Sequence, residues 1–333
     1  MIPLAPPLPR ELQVEVTGAC NLRCRMCLVR YRPALDRVSG SLGLEDFLHL
    51  VDCNPNLERV TLQGLGEPLL APHLFEMIEY ASARGIDVGF NTNATLLTRQ
   101  KAERLVRSGL SWLHISLDGA TAGTYEAIRD GARFDRVVGN VAGLVEVKRA
   151  LGADRPTLQI VFVAMQSNIA ELPALVRLAR SLDVPDVWVQ NLSHSFSDTD
   201  PAGQYGGIRS FTAAQALWAA DEAVHAPFAE ARRQAEELDV TLRLPRLAEP
   251  QRSRQPGEPG CDWPWRSAYV THDRKLQPCC MVMGSDRATL ADLSTETFAE
   301  AWHSGPYRDF RAALLTAEPP PVCRGCSMYR HTF

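Results

Sequence analysis

Between Glu11 and about Leu192, short apolar segments alternate with amphipathic ones, and this alternation restricts the fold more than any other feature of the chain. Segments 13–16, 59–62, 87–91, 112–117, 158–163 and 187–191 are rich in Val, Ile or aromatic residues, which predicts strands. Stretches 74–83, 99–108, 125–129, 134–150 and 169–181 read as helices. In the last, Leu172, Leu175, Val176, Leu178 and Ala179 recur at helical spacing, with Arg177 and Arg180 on the outer face. Such alternation means parallel strands, because a parallel return needs a long crossover that a helix supplies. Six units predict an α/β fold built on an open or partial (β/α)6 barrel; a closed eight-unit barrel needs more chain than this region holds.

After Leu192 the pattern changes. Residues 193–210 are polar and Gly-containing, as in a long functional loop. Residues 212–238 read as one helix and 241–245 as a short strand, while 250–260, rich in Pro, Gly and Arg, reads as a linker. A hairpin of 268–271 and 275–277 turns at His272-Asp273-Arg274, helices follow near 297–302 and 307–315, and Pro319-Pro320-Pro321 precedes the last cysteines. The expected organisation is a barrel domain over 1–192, a loop, helix and linker region over 193–260, and a small C-terminal cysteine-rich iron–sulfur domain over 261–333.

The chain starts with neither the basic residues nor the apolar core of a signal peptide, and no apolar run approaches the roughly 20 residues a membrane helix needs. A cytoplasmic protein with no membrane partner is therefore expected. The net charge of −4 offers no basic field for nucleic acid. Cytosolic thiols stay reduced, so nine cysteines, an odd number, argue against a disulfide framework and for metal. They are clustered: Cys20, Cys24 and Cys27 at the start, then Cys261, Cys279, Cys280, Cys323 and Cys326 in the last quarter. Cys53 stands alone in the apolar segment 47–53 and reads as a small buried apolar residue.

Cys20-x3-Cys24-x2-Cys27 directly follows the first predicted strand, where barrel folds place active sites. Three thiolates on one loop each ligate one iron of a [4Fe–4S] cube and leave the fourth iron open for chemistry. Structural zinc would want a fourth nearby His or Cys, and none is there.

These residues resemble the radical S-adenosylmethionine (SAM) superfamily, which carries this spacing on the loop after the first strand. Gly64-Leu65-Gly66-Glu67-Pro68 is similar to the family's G-G-E-P motif, with Leu65 in place of its first Gly. The resemblance implies that SAM chelates the open iron and that its reductive cleavage yields a hydrogen-abstracting 5′-deoxyadenosyl radical. It implies that the Gly66-Glu67-Pro68 backbone and the Glu67 side chain accept from the SAM ammonium, and that the segments holding Asn93 and Ser116 line the SAM pocket. Ser116 and Arg129 are then candidates for the SAM carboxylate, Arg129 being equally readable as a surface helix charge. Gln190, ending the sixth strand with Asn191, is a candidate for the adenosine. An external electron donor such as flavodoxin or ferredoxin is implied.

Four C-terminal thiolates can close a second [4Fe–4S] cluster or hold zinc, and spacing does not separate the two. The segment resembles the SPASM/twitch extensions of radical SAM enzymes, which implies an auxiliary iron–sulfur cluster. Their pattern of Cys, gap, Gly, four residues, Cys is kept except that Arg274 occupies the Gly place. Cys261, Cys279, Cys323 and Cys326 are the expected ligands of a single cluster, with Cys280 an alternate ligand, a spare thiol or a hydrogen-atom donor to substrate. A second cluster beside the substrate favours oxidation, and the spacing resembles that of twitch-type aminocyclitol alcohol dehydrogenases, so dehydrogenation of a sugar or aminocyclitol is the leading expectation. His194, Asp198 and Tyr205 on the 193–210 loop are candidate bases. Radical modification of a ribosomally made peptide is the alternative, weakened by the short stretch of 19 residues before Cys20. A non-catalytic iron–sulfur or zinc scaffold is the reading from another class.

Overall fold

The computed structural model describes residues 2–31, 40–218, 222–247 and 260–332. Ten strands form one mixed sheet: β1 (Glu11–Val14), β2 (Arg59–Thr61), β3 (Asp87–Thr92), β4 (Trp112–Ser116), β5 (Thr157–Val163), β6 (Asp186–Gln190), β7 (Thr241–Arg243), β8 (Ser267–Val270), β9 (Lys275–Gln277) and β10 (Ala291–Asp292). Their order is β10-β9-β8-β1-β2-β3-β4-β5-β6-β7. From β1 to β7 every neighbouring pair is parallel, as the sequence pattern requires. The sheet is nonetheless wider than six strands. Thr241–Arg243 adds a seventh beside β6. At the other edge β8 runs parallel to β1, with Leu12 opposite Ala268, and β9 and β10 continue antiparallel. The C-terminal hairpin thus extends the barrel sheet.

Leu113 and Ile115 of β4 and Ile160 and Phe162 of β5 are fully buried, in a core that also takes Leu172, Leu175, Val176 and Ala179 from the helix Leu172–Ser181. Parallel strands buried in this way read as apolar runs, which is why the sequence exposes them. Two expectations change. The single helix over 212–238 is two helices, Gly206–Gln215 and Glu222–Leu238, and the first begins inside the segment read as a long loop. Cys53 is exposed at the end of the helix Leu44–Asp52, its sulfur 3.5 Å from His49 Nε2. Of the expected linker 250–260, all but Gly260 lies outside the described residues.

Arg274 shows what its family position asks for. It has φ +66°, the left-handed region that glycine enters freely and that costs other residues about 1 kcal/mol or more. The turn is closed by Arg274 N–H to the Thr271 carbonyl at 2.9 Å, and the side chain reaches Asp46 at 3.1 Å.

On β4, the His114 ring lies 4.4 Å from the Trp112 ring and 6.2 Å, edge-on, from that of Trp188. Burial pushes the imidazole down to about 4 against an opposing pull from Asp186. Below its ordinary value the unfolded chain takes a proton that the folded ring refuses, so stability falls as pH drops. The fold is expected to lose about 2 kcal/mol between pH 7 and pH 5 from this ring. Urea midpoints at the two pH values check it: His114→Gln should remove about that much of the dependence, and an unchanged slope would clear His114 as a source.

Candidate active site at the strand ends

The cysteine loop leaves the carboxyl end of β1 and is clipped to its surroundings backbone by backbone. Glu67 N–H donates to the Ala19 carbonyl at 2.8 Å, Arg23 N–H to Asp130 O at 2.9 Å, and Arg25 N–H to Ile128 O at 2.9 Å. Gly66 is seated so closely that a Cβ there would stand 2.1 Å from the Thr17 carbonyl oxygen. The Asn21 amide donates to the Thr95 hydroxyl at 2.8 Å, and its oxygen accepts from Asn93 Nδ2 at 3.1 Å.

Glu67 is 3% exposed, and its carboxylate is committed to the chain. Oε1 accepts from the Thr92 hydroxyl at 2.6 Å and Leu69 N–H at 3.2 Å; Oε2 accepts from Asn93 N–H at 2.8 Å. These bonds make the side chain a brace between the loop after β2 and the end of β3. Ser116 and Gln190 end β4 and β6 at the same rim.

Burial pushes the Cys20 thiol up to about 11 and Cys27 up to about 12, and raises Cys24 as well. Ligation by iron requires these protons to leave. The compensating charge is Arg129, whose Nη1 lies 3.9 Å from Cys24 Sγ and whose Nη2 lies 2.6 Å from Asp118. Arg129 is buried, not a surface charge, and its Nε has no hydrogen-bond partner. That orphaned donor beside the cysteine loop fits a carboxylate ligand. Gly66→Ala should push the cysteine loop off its seat and cut bound iron from about eight to about four per chain, the count for one remaining cube. Full iron content in the variant would contradict this packing.

Cys261, Cys279, Cys323 and Cys326 line one small pocket with Trp263 and Phe310. They ring it rather than meet at a point: among the described residues no three His, Cys, Asp or Glu gather closely enough to hold a single metal ion. A ring of four thiols suits a cluster with one thiolate per iron. Cys280 is off that wall, opening the turn Cys280–Val282, with its thiol pushed up to about 12 by burial. Cys279→Ala should therefore lose the auxiliary iron while Cys280→Ala keeps it, as read by iron analysis; equal losses would make Cys280 a ligand.

The 193–205 segment packs against this pocket. His194 is 2% exposed, with Nδ1 accepting from Phe196 N–H at 2.8 Å and Nε2 donating to the Val322 carbonyl at 2.6 Å. Asp198 is paired with Arg287 at 2.7 Å. Neither is a solvated loop residue and neither lines the cavity described next, so the geometry gives both a bracing part instead of the expected base. Tyr205 does line it, donating its hydroxyl to Asp286 at 2.6 Å.

That cavity, about 280 Å3, lies where the cysteine loop, the 204–205 segment and the C-terminal hairpin meet. Leu28 follows the first cysteine group and Leu65 lies in the loop after β2, whereas Gln277 and Met283 flank Cys279 and Cys280 in sequence. The sequence reading missed Glu15, Tyr269 and His272 on its wall. No local motif marks them, although the Glu15–His272 contact joins positions 257 residues apart.

The radical SAM superfamily profile matches residues 14–157, and the iron–sulfur cluster-binding SPASM domain matches 261–327. The chain carries a radical SAM domain followed by a SPASM iron–sulfur domain. Among curated relatives, the tungsten-containing aldehyde ferredoxin oxidoreductase cofactor-modifying protein of Pyrococcus furiosus is 28% identical over 190 residues, 55% of this chain and 51% of that one. The mycofactocin maturase MftC of Mycobacterium tuberculosis is 33% identical over 175 residues, 51% of this chain and 42% of that one. The radical SAM chain thus spans about half the length of the curated relatives it matches. Streptococcus suis SuiB, solved with S-adenosylmethionine, has a TM-score of 0.70 at 15% identity, covering 97% of this chain and 72% of that one. BtrN, solved with AdoMet and 2-DOIA, has a TM-score of 0.52 at 16% identity, covering 96% and 93%. The two domains imply [4Fe–4S] clusters and SAM as cofactors. No helix among the described residues is long and apolar enough to cross a membrane.

Proposed function

We propose that this radical SAM enzyme modifies a peptide, working on one residue of it held in the cavity between the two cysteine groups. The observation that carries the reading is the cavity itself. Its wall takes Leu28, next after Cys27, and Gln277 and Met283, which flank Cys279 and Cys280 in sequence, and its 280 Å3 is below the usual range for whole small-molecule ligands but ample for one side chain. The likeness to MftC, a mycofactocin maturase, and to SuiB, solved also with the precursor peptide SuiA, supports a peptide over the sugar favoured by sequence. Dehydrogenation of a sugar or aminocyclitol remains the second reading, favoured by the carboxylate- and hydroxyl-bearing wall of Glu15, Tyr205, Asp273 and Asp286 and by the likeness to BtrN.

In this reading Cys20, Cys24 and Cys27 hold the SAM-binding cluster, and Cys261, Cys279, Cys323 and Cys326 hold the auxiliary one. Once bound and reduced by an external donor of the flavodoxin or ferredoxin kind, the first of these clusters with SAM would supply hydrogen abstraction from the substrate. Arg129 takes the SAM carboxylate on its free Nε and offsets the charge at Cys24. Asn93, Ser116 and Gln190 bound the nucleoside side, and Glu67 keeps the loops in register. Leu28, Leu65 and Met283 keep water from the reacting carbon.

Under anaerobic reconstitution with SAM and dithionite the protein is expected to release 5′-deoxyadenosine, and Cys24→Ala to release none. Retained cleavage in that variant would overturn the assignment. Incubation with perdeuterated peptides and aminocyclitols then separates the two readings, because the true substrate transfers deuterium into 5′-deoxyadenosine.

A further inference from the structure

The cysteine loop carries charge that iron ligation does not use. From Thr17 to Tyr31 the sequence holds Arg23, Arg25 and Arg30 and no Asp or Glu, in a chain whose net charge is −4. Arg23 and Arg25 flank Cys24 and are exposed, while Cys24 itself is buried. The backbone of both arginines is held on either side. Their N–H groups donate to the Asp130 and Ile128 carbonyls, and their own carbonyls accept from Arg30 Nη1 at 3.0 Å and the Tyr31 hydroxyl at 2.8 Å. The two side chains are thus presented to solvent from a fixed frame. Arg30 pairs with Asp130 at 2.9 Å, but among the described residues neither Arg23 nor Arg25 reaches a carboxylate at ion-pair distance. The helix Phe134–Ala150 begins beside this loop, since a Cβ on Gly131 would stand 3.4 Å from Leu22. A helix N-terminus carries about half a positive charge and favours acids in its first turn. Arg133 and Arg136 stand there, both exposed, with Asp135 between them, so the helix end adds to the positive field of the loop.

We propose that the exposed face of the cysteine loop, with Arg23 and Arg25 at its centre, is the docking surface for the electron donor, a small acidic protein with a low-potential one-electron centre. The inference rests on the proposed function in that it needs an iron cluster at Cys20, Cys24 and Cys27. Three features support it together. Opposite charge steers an acidic carrier to a rigid cationic patch and orients it before contact. Cys24 stands between the two arginines in sequence, so a carrier seated on them is separated from the cluster ligand by the loop backbone alone. The described cavity wall, in contrast, holds Glu15, Asp273 and Asp286 with no Lys or Arg, which turns an acidic carrier away from the place of the substrate. Docking passes one electron. The carrier's centre is oxidised by one, the cluster is reduced by one, and no bond or proton changes on this chain.

Calorimetric titration of the anaerobically reconstituted protein with oxidised flavodoxin, and in parallel with ferredoxin, tests the assignment. At least one carrier should bind, and bind more weakly as salt rises, because exposed charges are screened. Arg23→Glu combined with Arg25→Glu should weaken that binding at least about tenfold. Iron content should stay at the wild-type level, as should 5′-deoxyadenosine release with dithionite, a small reductant that needs no docking surface. Arg136→Glu, outside the loop, should weaken binding severalfold and carries the test if the double variant loses iron. Affinity indifferent to these substitutions overturns the proposal, as does a wild type that binds neither carrier. A wild type that releases no 5′-deoxyadenosine with dithionite would sink the functional reading, whereas release with carrier binding indifferent to the arginines would sink this inference alone.

Discussion

Glu67 carries the arrangement at the strand ends. A buried carboxylate is costly unless every lone pair in reach is used, and here Thr92, Asn93 and Leu69 supply the donors. The same residue gives its own N–H to the Ala19 carbonyl, immediately before the first cysteine. One side chain and its backbone therefore fix the cysteine loop, the loop after β2 and the end of β3 in a common register. Gly66 completes the seat because only a residue without Cβ fits under Thr17 and Ala19. The loop is thus preorganised by contacts that do not involve the thiols.

The C-terminal pocket is built on a different principle. Its walls come from segments far apart in sequence, joined by His194 on the Val322 carbonyl, by Ser195 N–H on Gly325 O at 2.9 Å, and by the buried Asp198–Arg287 pair. The 193–205 segment is therefore part of the second site's scaffold. Within it His194 satisfies the buried Phe196 N–H and Val322 carbonyl, as a covered loop requires, while Asp198 and Tyr205 pair with the side chains of Arg287 and Asp286.

What the sequence shows of this protein follows contact distance along the chain. The parallel strands are legible because burial on both faces leaves apolar runs, and the Cys20–Cys27 and Gly64–Pro68 motifs because their ligands and turns are local. The division of the predicted helix 212–238 is not legible: no Pro or Gly stands between Gln215, where the first helix ends, and Glu222, from which the second is described. Cys53 misleads for the opposite reason, an apolar neighbourhood in sequence placed at an exposed helix end. Arg129 and Asp118 look like ordinary charges until the fold pairs them in the interior. The Glu15–His272 contact, spanning most of the chain, has no local signature, and neither of its residues falls within a cysteine motif.

The parallel pairing of β8 with β1 has a consequence for electron flow. The first cysteine loop emerges from β1, and Cys279 follows β9, which is hydrogen-bonded to β8. Glu15 N–H to the Val270 carbonyl at 2.8 Å continues that ladder past the strand end. Segments that leave such neighbouring strands cannot part without tearing backbone hydrogen bonds. For clusters held as proposed above, the distance an electron crosses would therefore follow from the sheet.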